Sequence, residues 1–180
     1  MKTDRKLGYE VRKYLIKKGV ETPIIDVKLS RDEKIDLISA NMQTIIEVLG
    51  LDTTDDSIKD TALRVGEMYV DELCLGMDYN RFPKCTVFDN KMGYNQMVLQ
   101  KDITFHSMCE HHFVNFNGLA QVAYIPNGKV IGLSKLNRIV NFFARRPQVQ
   151  ERLNEQIFYA LEYILDTSDI AVLMQAEHLC

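Results

Sequence analysis

Residues 97–125 read MVLQKDITFHSMCEHHFVNFNGLAQVAYI. Two runs within this stretch, 97–106 and 112–125, are rich in β-branched and aromatic residues, which favour β-strands. The turn sequence PNGK at 126–129 then leads into VIG at 130–132, and this pattern predicts a hairpin. The centre of the chain is therefore expected to form a sheet of antiparallel strands.

Three helices are predicted before the sheet. An apolar stripe with helical spacing begins near Leu7 and ends at Gly19. Ser30 and Glu33 have the spacing of a capping box, and the apolar stripe behind them stops at Gly50. A third helix is expected from about residue 57 to residue 76.

Two helices and one strand are predicted after the sheet. Ser134 can cap a helix that runs through about Ala144, where Pro147 interrupts the pattern. A longer helix follows to about Leu165, and a last strand is expected over residues 170–176.

This order of elements predicts the α+β class, with antiparallel strands. We expect an N-terminal helical segment over residues 1–80 and a second domain, which contains the sheet, over residues 81–180. Neither region contains a repeat or a low-complexity tract.

Composition excludes several classes of protein. Of the 180 residues, 46% are hydrophobic and 26% are charged, which is too apolar a balance for intrinsic disorder. No apolar run approaches the roughly 18 residues that a membrane-spanning helix needs. No apolar segment follows the charged N-terminus, so a secretory signal peptide is not expected and the predicted location is cytoplasmic.

The distribution of charge indicates the kind of ligand. The net charge of −3 argues against a general nucleic-acid binder. Residues 129–146 nevertheless hold five basic residues and no acidic one. A compact basic stretch in an acidic protein suits a small anionic ligand better than a polymer. A solvated helix face is the alternative interpretation.

A cluster of cysteine and histidine predicts a metal site. It consists of CEHH at 109–112 and HLC at 178–180, and it contains three of the four histidines and two of the four cysteines. Cys-x-x-His is a zinc-type half-site. If Cys109, one histidine and Cys180 bind zinc, a fourth position stays open for water, as in catalytic zinc sites. The spacing does not say whether His111 or His112 is the ligand, and a core or loop cluster without metal is the alternative.

Two further patterns suit a nucleotide. Lys135 and Arg138 share a face in the first turn of a predicted helix, where cations are unfavourable unless an anion is bound. Glu151, next to Gln150, could accept two N–H groups from a guanine edge. Solvated basic residues and an exposed helix glutamate are the respective alternatives.

Together these pieces closely resemble the GTP cyclohydrolase I family. The resemblance is strongest over residues 109–153, CEHHFVNFNGLAQVAYIPNGKVIGLSKLNRIVNFFARRPQVQERL. Weaker matches are ETPI at 21–24, RVGEMYVDEL at 64–73 and NKMGYNQMV at 90–98, and the family's last strand ends in a His-x-Cys like that at 178–180. The resemblance therefore covers nearly the whole chain.

The resemblance implies a role for each site residue. The implied zinc ligands are Cys109, His112 and Cys180. The implied acid/base pair beside the metal is His111 and His178, and Ser134 resembles the residue that assists rearrangement of the ribose. The residues implied to bind the triphosphate are Lys135, Arg138 and Arg64, and those implied to recognise guanine are Gln150 and Glu151.

The family's reaction and assembly follow from the same resemblance. GTP and water are converted to 7,8-dihydroneopterin triphosphate and formate, with zinc as the cofactor. The implied architecture is the tunnelling fold, an antiparallel sheet backed by helices, in which sheets from several subunits close a barrel around a tunnel. The implied partner is the same chain, in a homodecamer of two pentamers with active sites at subunit interfaces.

Two departures from the family pattern leave an alternative open. The family usually has a proline where this chain has Ala62, two residues before Arg64. The family also normally continues past the His-x-Cys with a short strand that bears another basic residue, whereas this sequence ends at Cys180. The alternative is a catalytically impaired zinc- or nucleotide-binding relative. A nitrile-reducing enzyme of the same fold is less favoured, since it needs a cysteine that zinc does not hold and a nicotinamide cofactor.

Overall fold

The computed structural model describes residues 2–180, which separate by packing into two compact units. The sheet unit comprises residues 2–24 and Gly76–Cys180, and the helical unit comprises Ile25–Leu75. The domain boundary predicted between residues 80 and 81 stays a prediction; packing groups residues 2–24 with the sheet.

The sheet unit contains three α-helices and six strands within its described residues. The helices are α1 (Arg5–Lys18), α4 (Leu133–Ala144) and α5 (Gln150–Leu165). The strands are β1 (Val87–Asp89), β2 (Val98–Cys109), β3 (Asn115–Tyr124), β4 (Lys129–Ile131), β5 (Pro147–Gln148) and β6 (Ile170–His178). The helical unit contains α2 (Arg31–Val48) and α3 (Thr61–Met68).

The main sheet has the strand order β5-β2-β3-β6. β3 lies antiparallel to both β2 and β6, whereas the short β5 lies parallel to the end of β2. In this register Phe116, near the start of β3, lies opposite both Ser107 and His178. The C-terminal ends of β2 and β6 therefore meet at the same corner of the sheet.

One face of the sheet is buried against helices. Strand residues alternate between faces, and Phe105 and Phe116 point into the core with no exposed surface. Leu136 of α4, Leu153 of α5 and Leu15 of α1 belong to the same hydrophobic cluster. This arrangement confirms the predicted α+β class and its sheet backed by helices.

Close packing of α2 and α3 organises the helical unit. A Cβ atom added at Gly66 would lie 2.3 Å from the Ser39 hydroxyl oxygen and 2.9 Å from the carbonyl oxygen of Ile35. The predicted capping box is confirmed, because the Ser30 hydroxyl accepts the Glu33 N–H while the Glu33 carboxylate accepts the Ser30 N–H.

The third helix, predicted from about residue 57 to residue 76 as one α-helix, starts later and is not α-helical throughout. α3 starts at Thr61, because Asp52 and Asp55 accept hydrogen bonds from the backbone two residues ahead and hold residues 53–60 in turns. After Met68 the chain leaves the α-helical conformation, with a wider π-helical turn at Tyr69–Leu73 and a tighter 3₁₀ turn at Leu75–Met77.

The hairpin predicted around residues 126–129 does not form. β4 pairs antiparallel with β1, so that Lys129 lies opposite Asp89 and Ile131 opposite Val87. β3 cannot pair with β4 because β2 and β6 occupy both of its edges. The sequence therefore predicted a strand after the PNGK turn but not that this strand, β4, pairs with β1.

Two other elements complete the comparison with the sequence. Ser134 is not a helix cap, because it lies inside α4, which begins at Leu133. The N-cap is Gly132, which makes no side-chain capping bond. The helix predicted to end near Leu165 is confirmed as α5, and the last strand extends two residues further than predicted, to His178. Within residues 2–180, no helix is both long and apolar enough to cross a membrane.

Candidate active site

The CEHH motif forms a tight turn at the end of β2. The Cys109 N–H donates to the carbonyl of Val114 at 2.8 Å, and the Phe113 N–H donates back to the carbonyl of Cys109 at 2.9 Å. Phe113 closes the turn with a left-handed backbone, φ 56°. Cys109 is buried at the base of this turn, while His111 and His112 are exposed on it.

The C-terminal HLC segment reaches this turn because β6 pairs with β3. His178 lies opposite Phe116, and the Leu179 N–H donates to the carbonyl of Asn115 at 3.3 Å. Gly118 permits the close approach, since a Cβ there would lie 2.0 Å from the carbonyl oxygen of Gln175. Cys180 thereby comes close enough to Cys109 for each thiol to shift the pKa of the other.

The pKa values of the two thiols are shifted in opposite directions. The backbone N–H of His111 is the main cause that lowers the pKa of Cys109, and the Cys180 thiol and the His112 N–H act in the same direction. Burial and the Glu110 carboxylate oppose this shift. The pKa of Cys180 is raised, chiefly because its S–H donates to Cys109. Cys109 is thus the better thiolate, and thiolate is the form that binds metals.

The three histidines of the two half-sites, CEHH and HLC, have different surroundings. His111 Nδ1 lies 3.7 Å from Cys109 Sγ, and the His112 side chain is exposed on the same turn. His178 stacks on Phe116, with ring centroids 4.8 Å apart and an interplanar angle of 2°, and its Nε2 lies 2.8 Å from Gln150 Oε1. Within residues 2–180, no three His, Cys, Asp or Glu side chains are arranged to hold a metal ion.

The predicted guanine-binding pair lies in the first turn of α5. Gln150 is engaged by the protein, because its Nε2 donates to the carbonyl of Met174 at 3.1 Å and its Oε1 faces His178. The Glu151 side chain is exposed. The structure therefore brings Gln150 to the HLC half of the site and leaves Glu151 open to a ligand.

The predicted phosphate-binding residues are divided between the units. Lys135 and Arg138 are half-buried in the first turns of α4, with Ser134 exposed between them and the uncapped helix start. Burial raises the pKa of Cys85 to about 12, and the two nearby cations, Lys135 and Arg138, oppose that rise. Arg64 belongs to the helical unit, where it lies 3.2 Å from Asp60.

Sequence reasoning missed Arg152 and Gln148, which hold the CEHH motif in place. Glu110 pairs with Arg152 of α5, and Arg152 Nε donates to Gln148 Oε1 at 3.0 Å. No sequence pattern marks this contact, because an arginine in the first turn of a helix resembles any solvated basic residue. It is visible only once β5 brings α5 beside the turn.

Comparison with known proteins agrees with the resemblance. Residues 38–180 match the family described as GTP cyclohydrolase I. A protein of Aeromonas salmonicida (strain A449) named GTP cyclohydrolase 1 is 54% identical over 170 residues, which are 94% of this chain and 78% of that protein. The protein of the same name from Shewanella amazonensis is 52% identical over 171 residues, covering 95% and 79% of the two chains. That from Vibrio vulnificus (strain YJ016) is 52% identical over 170 residues, covering 94% and 78%.

Proposed function

The chain belongs to the GTP cyclohydrolase I family, and we propose that it converts GTP and water to 7,8-dihydroneopterin triphosphate and formate, an entry reaction of pterin and folate-type synthesis. The observation that carries this proposal is the 54% identity over 94% of the chain, together with the family match over residues 38–180, which includes both halves of the candidate site. The approach of Cys109 and Cys180 from distant segments supports it independently.

We propose zinc as the cofactor, held by Cys109, His112 and Cys180. The donor set fits this ion, because two sulfur ligands and one imidazole are typical zinc ligands and the backbone N–H of His111 lowers the pKa of Cys109. When bound, zinc would lower the pKa of a coordinated water towards 7 and so supply a nucleophile for the guanine ring. The His112 imidazole is exposed on the same turn as Cys109 and would supply the third ligand.

His111 and His178 are the proposed proton carriers. His178 suits this role because stacking on Phe116 fixes its ring plane, and the Gln150 side-chain oxygen faces one ring nitrogen. An imidazole held in this way presents its other nitrogen, Nδ1, in a fixed direction. His111 lies beside Cys109 whereas His178 lies beside Gln150, so the two rings would serve different atoms of the substrate.

The remaining residues are proposed to bind GTP. Lys135 and Arg138 would hold the triphosphate at the start of α4, where backbone N–H groups also favour an anion, and Arg64 would join them. Glu151 would accept N–H groups of guanine, and Gln150 would add to that contact while it orients His178. Ser134 would assist rearrangement of the ribose from its exposed position in the first turn of α4.

The proposed assembly is a homodecamer of two pentamers. Among the described strands β6 has one neighbour, β3, so its other edge presents backbone N–H and C=O groups that another strand could pair with. Pairing between copies through such edges would close the sheets into the barrel of the tunnelling fold. Sedimentation velocity of the purified chain measures the assembly directly, and a monomer would contradict it.

The function is tested by assaying the purified chain with GTP, following formate release and the fluorescence of the oxidised neopterin product. We expect turnover that chelation abolishes and zinc restores. Zinc-loaded, assembled protein that releases no formate would contradict the proposal and favour the catalytically impaired relative.

The zinc ligands are tested separately from catalysis. We expect Cys109→Ser and Cys180→Ser each to lose stoichiometric zinc, because serine is a poor ligand for this ion. Cys85→Ser is the matched control and should keep zinc, since its side chain lies near Lys135 and Arg138 rather than with the proposed ligands Cys109 and Cys180. Full zinc retention by Cys109→Ser, measured by metal analysis of the folded protein, would remove Cys109 from the ligand set.

A further inference from the structure

Glu110, the second residue of the CEHH motif, forms an ion pair within the protein. Glu110 lies between Cys109 and the histidines, and its carboxylate forms an ion pair with the guanidinium of Arg152. The exposed fractions of the two side chains are 29% for Glu110 and 18% for Arg152. The pair is therefore partly shielded from water, unlike a typical surface salt bridge, which contributes little.

Arg152 is itself held from the core. Its Nε donates to Gln148 Oε1 at 3.0 Å. Gln148 is fully buried, and its amide nitrogen donates to the carbonyl of Phe143 at 3.0 Å and to Gln156 Oε1 at 2.7 Å. The backbone joins the same residues, because the Glu110 N–H donates to the carbonyl of Gln148 at 3.0 Å. The turn is thus fastened to buried structure by main chain and side chain together.

The same turn of α5 also holds the second half of the candidate site. Gln150, two residues before Arg152, donates to the carbonyl of Met174 and faces His178 with its side-chain oxygen. Beyond the last paired residues of β3 and β6, the Leu179 N–H donates to the carbonyl of Asn115, and this hydrogen bond is long at 3.3 Å. The first turn of α5 is therefore a second bridge, independent of strand pairing.

We propose that Glu110 and Arg152 form a positioning pair, which fixes the Cys109 turn against α5 and keeps Cys109 within reach of Cys180. This inference rests on the proposed function, because it gives the pair its purpose, namely to hold two ligand-bearing segments at the spacing that zinc needs. Neither residue is a metal ligand, and each acts through the position of Cys109.

The proposal predicts specific effects on metal binding. Residues that orient metal ligands change metal affinity by about 10–100-fold when they are replaced. We expect Glu110→Gln and Arg152→Met each to weaken zinc binding within that range, measured by competition with a chromogenic chelator. The double variant should be no weaker than the worse single variant, since both substitutions break the same contact.

Two further variants give the comparison its controls. Glu155→Gln removes a carboxylate from an exposed position of the same helix and should leave zinc affinity unchanged. Arg152→Lys keeps a positive charge opposite Glu110 but cannot reach both Glu110 and Gln148 in the same way, so its affinity should lie between those of the wild type and Arg152→Met.

A second measurement needs neither zinc nor GTP. Phenylarsine oxide bridges two neighbouring thiols, so its rate of capture by metal-free protein reports how often Cys109 and Cys180 are in reach of each other, and peptide mapping identifies the bridged pair. Glu110→Gln and Arg152→Met should slow capture several-fold, whereas Glu155→Gln should not.

The outcomes separate this inference from the proposed function. A wild-type chain that captures the arsenical but binds no zinc contradicts the proposed cofactor, and slower capture by the variants still supports the positioning pair. Wild-type capture rates in both single variants overturn the positioning pair, whatever the chain does with GTP. A double variant whose zinc affinity falls by the product of the two single losses overturns it as well, because the residues would then act separately.

Discussion

Two polar clusters of the sheet unit differ in how completely the protein satisfies them. The Arg146 cluster, formed by Arg146, Glu21, Thr22 and Tyr79, lies inside the protein, and Arg146 has no exposed surface. The candidate site at 109–112 and 178–180 lies at a corner of the sheet, and its three histidines are exposed. Both clusters join segments that are far apart in the sequence.

The Arg146 cluster is closed by protein partners. Arg146 Nη1 lies 3.1 Å from Glu21 Oε1 and 3.4 Å from the Tyr79 hydroxyl, while Nη2 donates to the carbonyl of Gly76. The Tyr79 hydroxyl in turn donates to Glu21. The guanidinium carbon also lies 4.9–5.2 Å from the ring centroids of three aromatic residues: Tyr79, Phe142 and Phe143.

The contrast separates polar groups that support the fold from those available to a ligand. A buried charge is tolerated only when partners replace its water, and both terminal guanidinium nitrogens of Arg146 have such partners, while its Nε has none within residues 2–180. At the candidate site much of the hydrogen-bonding capacity faces outward, since His111, His112 and Glu151 are exposed. Substitutions in the first cluster should therefore reduce stability, and those in the second should reduce activity.

The largest expected effect is that of Arg146→Met. Methionine fills part of the arginine volume but leaves the Glu21 carboxylate buried without its cation, and breaking a buried pair in this way costs about 3–5 kcal/mol. The unfolding free energy should fall by that amount in urea denaturation. Arg145→Met is the matched control at the exposed neighbouring position and should change stability by less than about 0.5 kcal/mol. Equal losses in the two variants would refute the contrast.

His111→Ala tests the other side of the comparison. We expect the variant to keep zinc and the wild-type unfolding midpoint, because the ring is exposed, and yet to lose about 100-fold or more in kcat through loss of a proton carrier. Metal analysis, denaturation and the formate assay on one preparation measure all three quantities. The fourth histidine provides the control: His106→Ala alters an exposed ring beside Asn117 and should leave kcat unchanged. A wild-type kcat in His111→Ala would remove His111 from the mechanism.

The sequence predicted the parts of the fold that depend on local chemistry. The capping box at Ser30, the end of α1 at Gly19 and the α5 helix all follow from neighbouring residues, and the structure has them. The pairing of β4 with β1 could not be predicted in the same way, because it depends on both edges of β3 being occupied. The start of α3 depends on aspartate side chains that capture backbone N–H groups, a competition that apolar spacing does not reveal.

The site was predictable to a similar extent. The sequence identified the residues of both half-sites because cysteine and histidine are rare and were clustered. It gave no sign of the partners that hold them, since Arg152 and Gln148 meet Glu110 only through tertiary packing. The sequence gives no sign of the buried position of Arg146 either. It is one of the five basic residues of 129–146, yet it is buried beside Glu21. A charge count cannot distinguish a paired interior cation from a surface one.

The four cysteines provide a chemical measure of the same contrast. Burial raises the pKa of Cys74 to about 11 and that of Cys85 to about 12. In metal-free protein at pH 8, iodoacetamide should therefore modify Cys109 first and the exposed Cys180 more slowly, because the pKa of Cys180 is raised, and it should leave the other two intact. Cys74 and Cys85 should react only as the pH rises towards their pKa values.

Zinc provides the control for that experiment. Adding it back should protect Cys109 and Cys180, because a coordinated thiolate is a poorer nucleophile. Modification of Cys74 or Cys85 at pH 8, detected by peptide mass, would contradict their buried character and weaken the assignment of the reactive pair to the candidate site.

The smallest effect tests how completely the Arg146 cluster is satisfied. The Thr22 hydroxyl accepts from Gln156 Nε2 at 3.1 Å and lies 3.5 Å from Arg146 Nη1. Thr22→Val removes this acceptor, but Gln156 keeps the carbonyl of Val20 and Arg146 keeps Glu21. Since each donor retains a partner, the variant should lose about 1 kcal/mol of unfolding free energy rather than the several expected for Arg146→Met. Thr44→Val, at an exposed position of α2, is the control and should lose less. A loss at Thr22 as large as that of Arg146→Met would mean that the hydroxyl is indispensable and that the cluster has no spare partners.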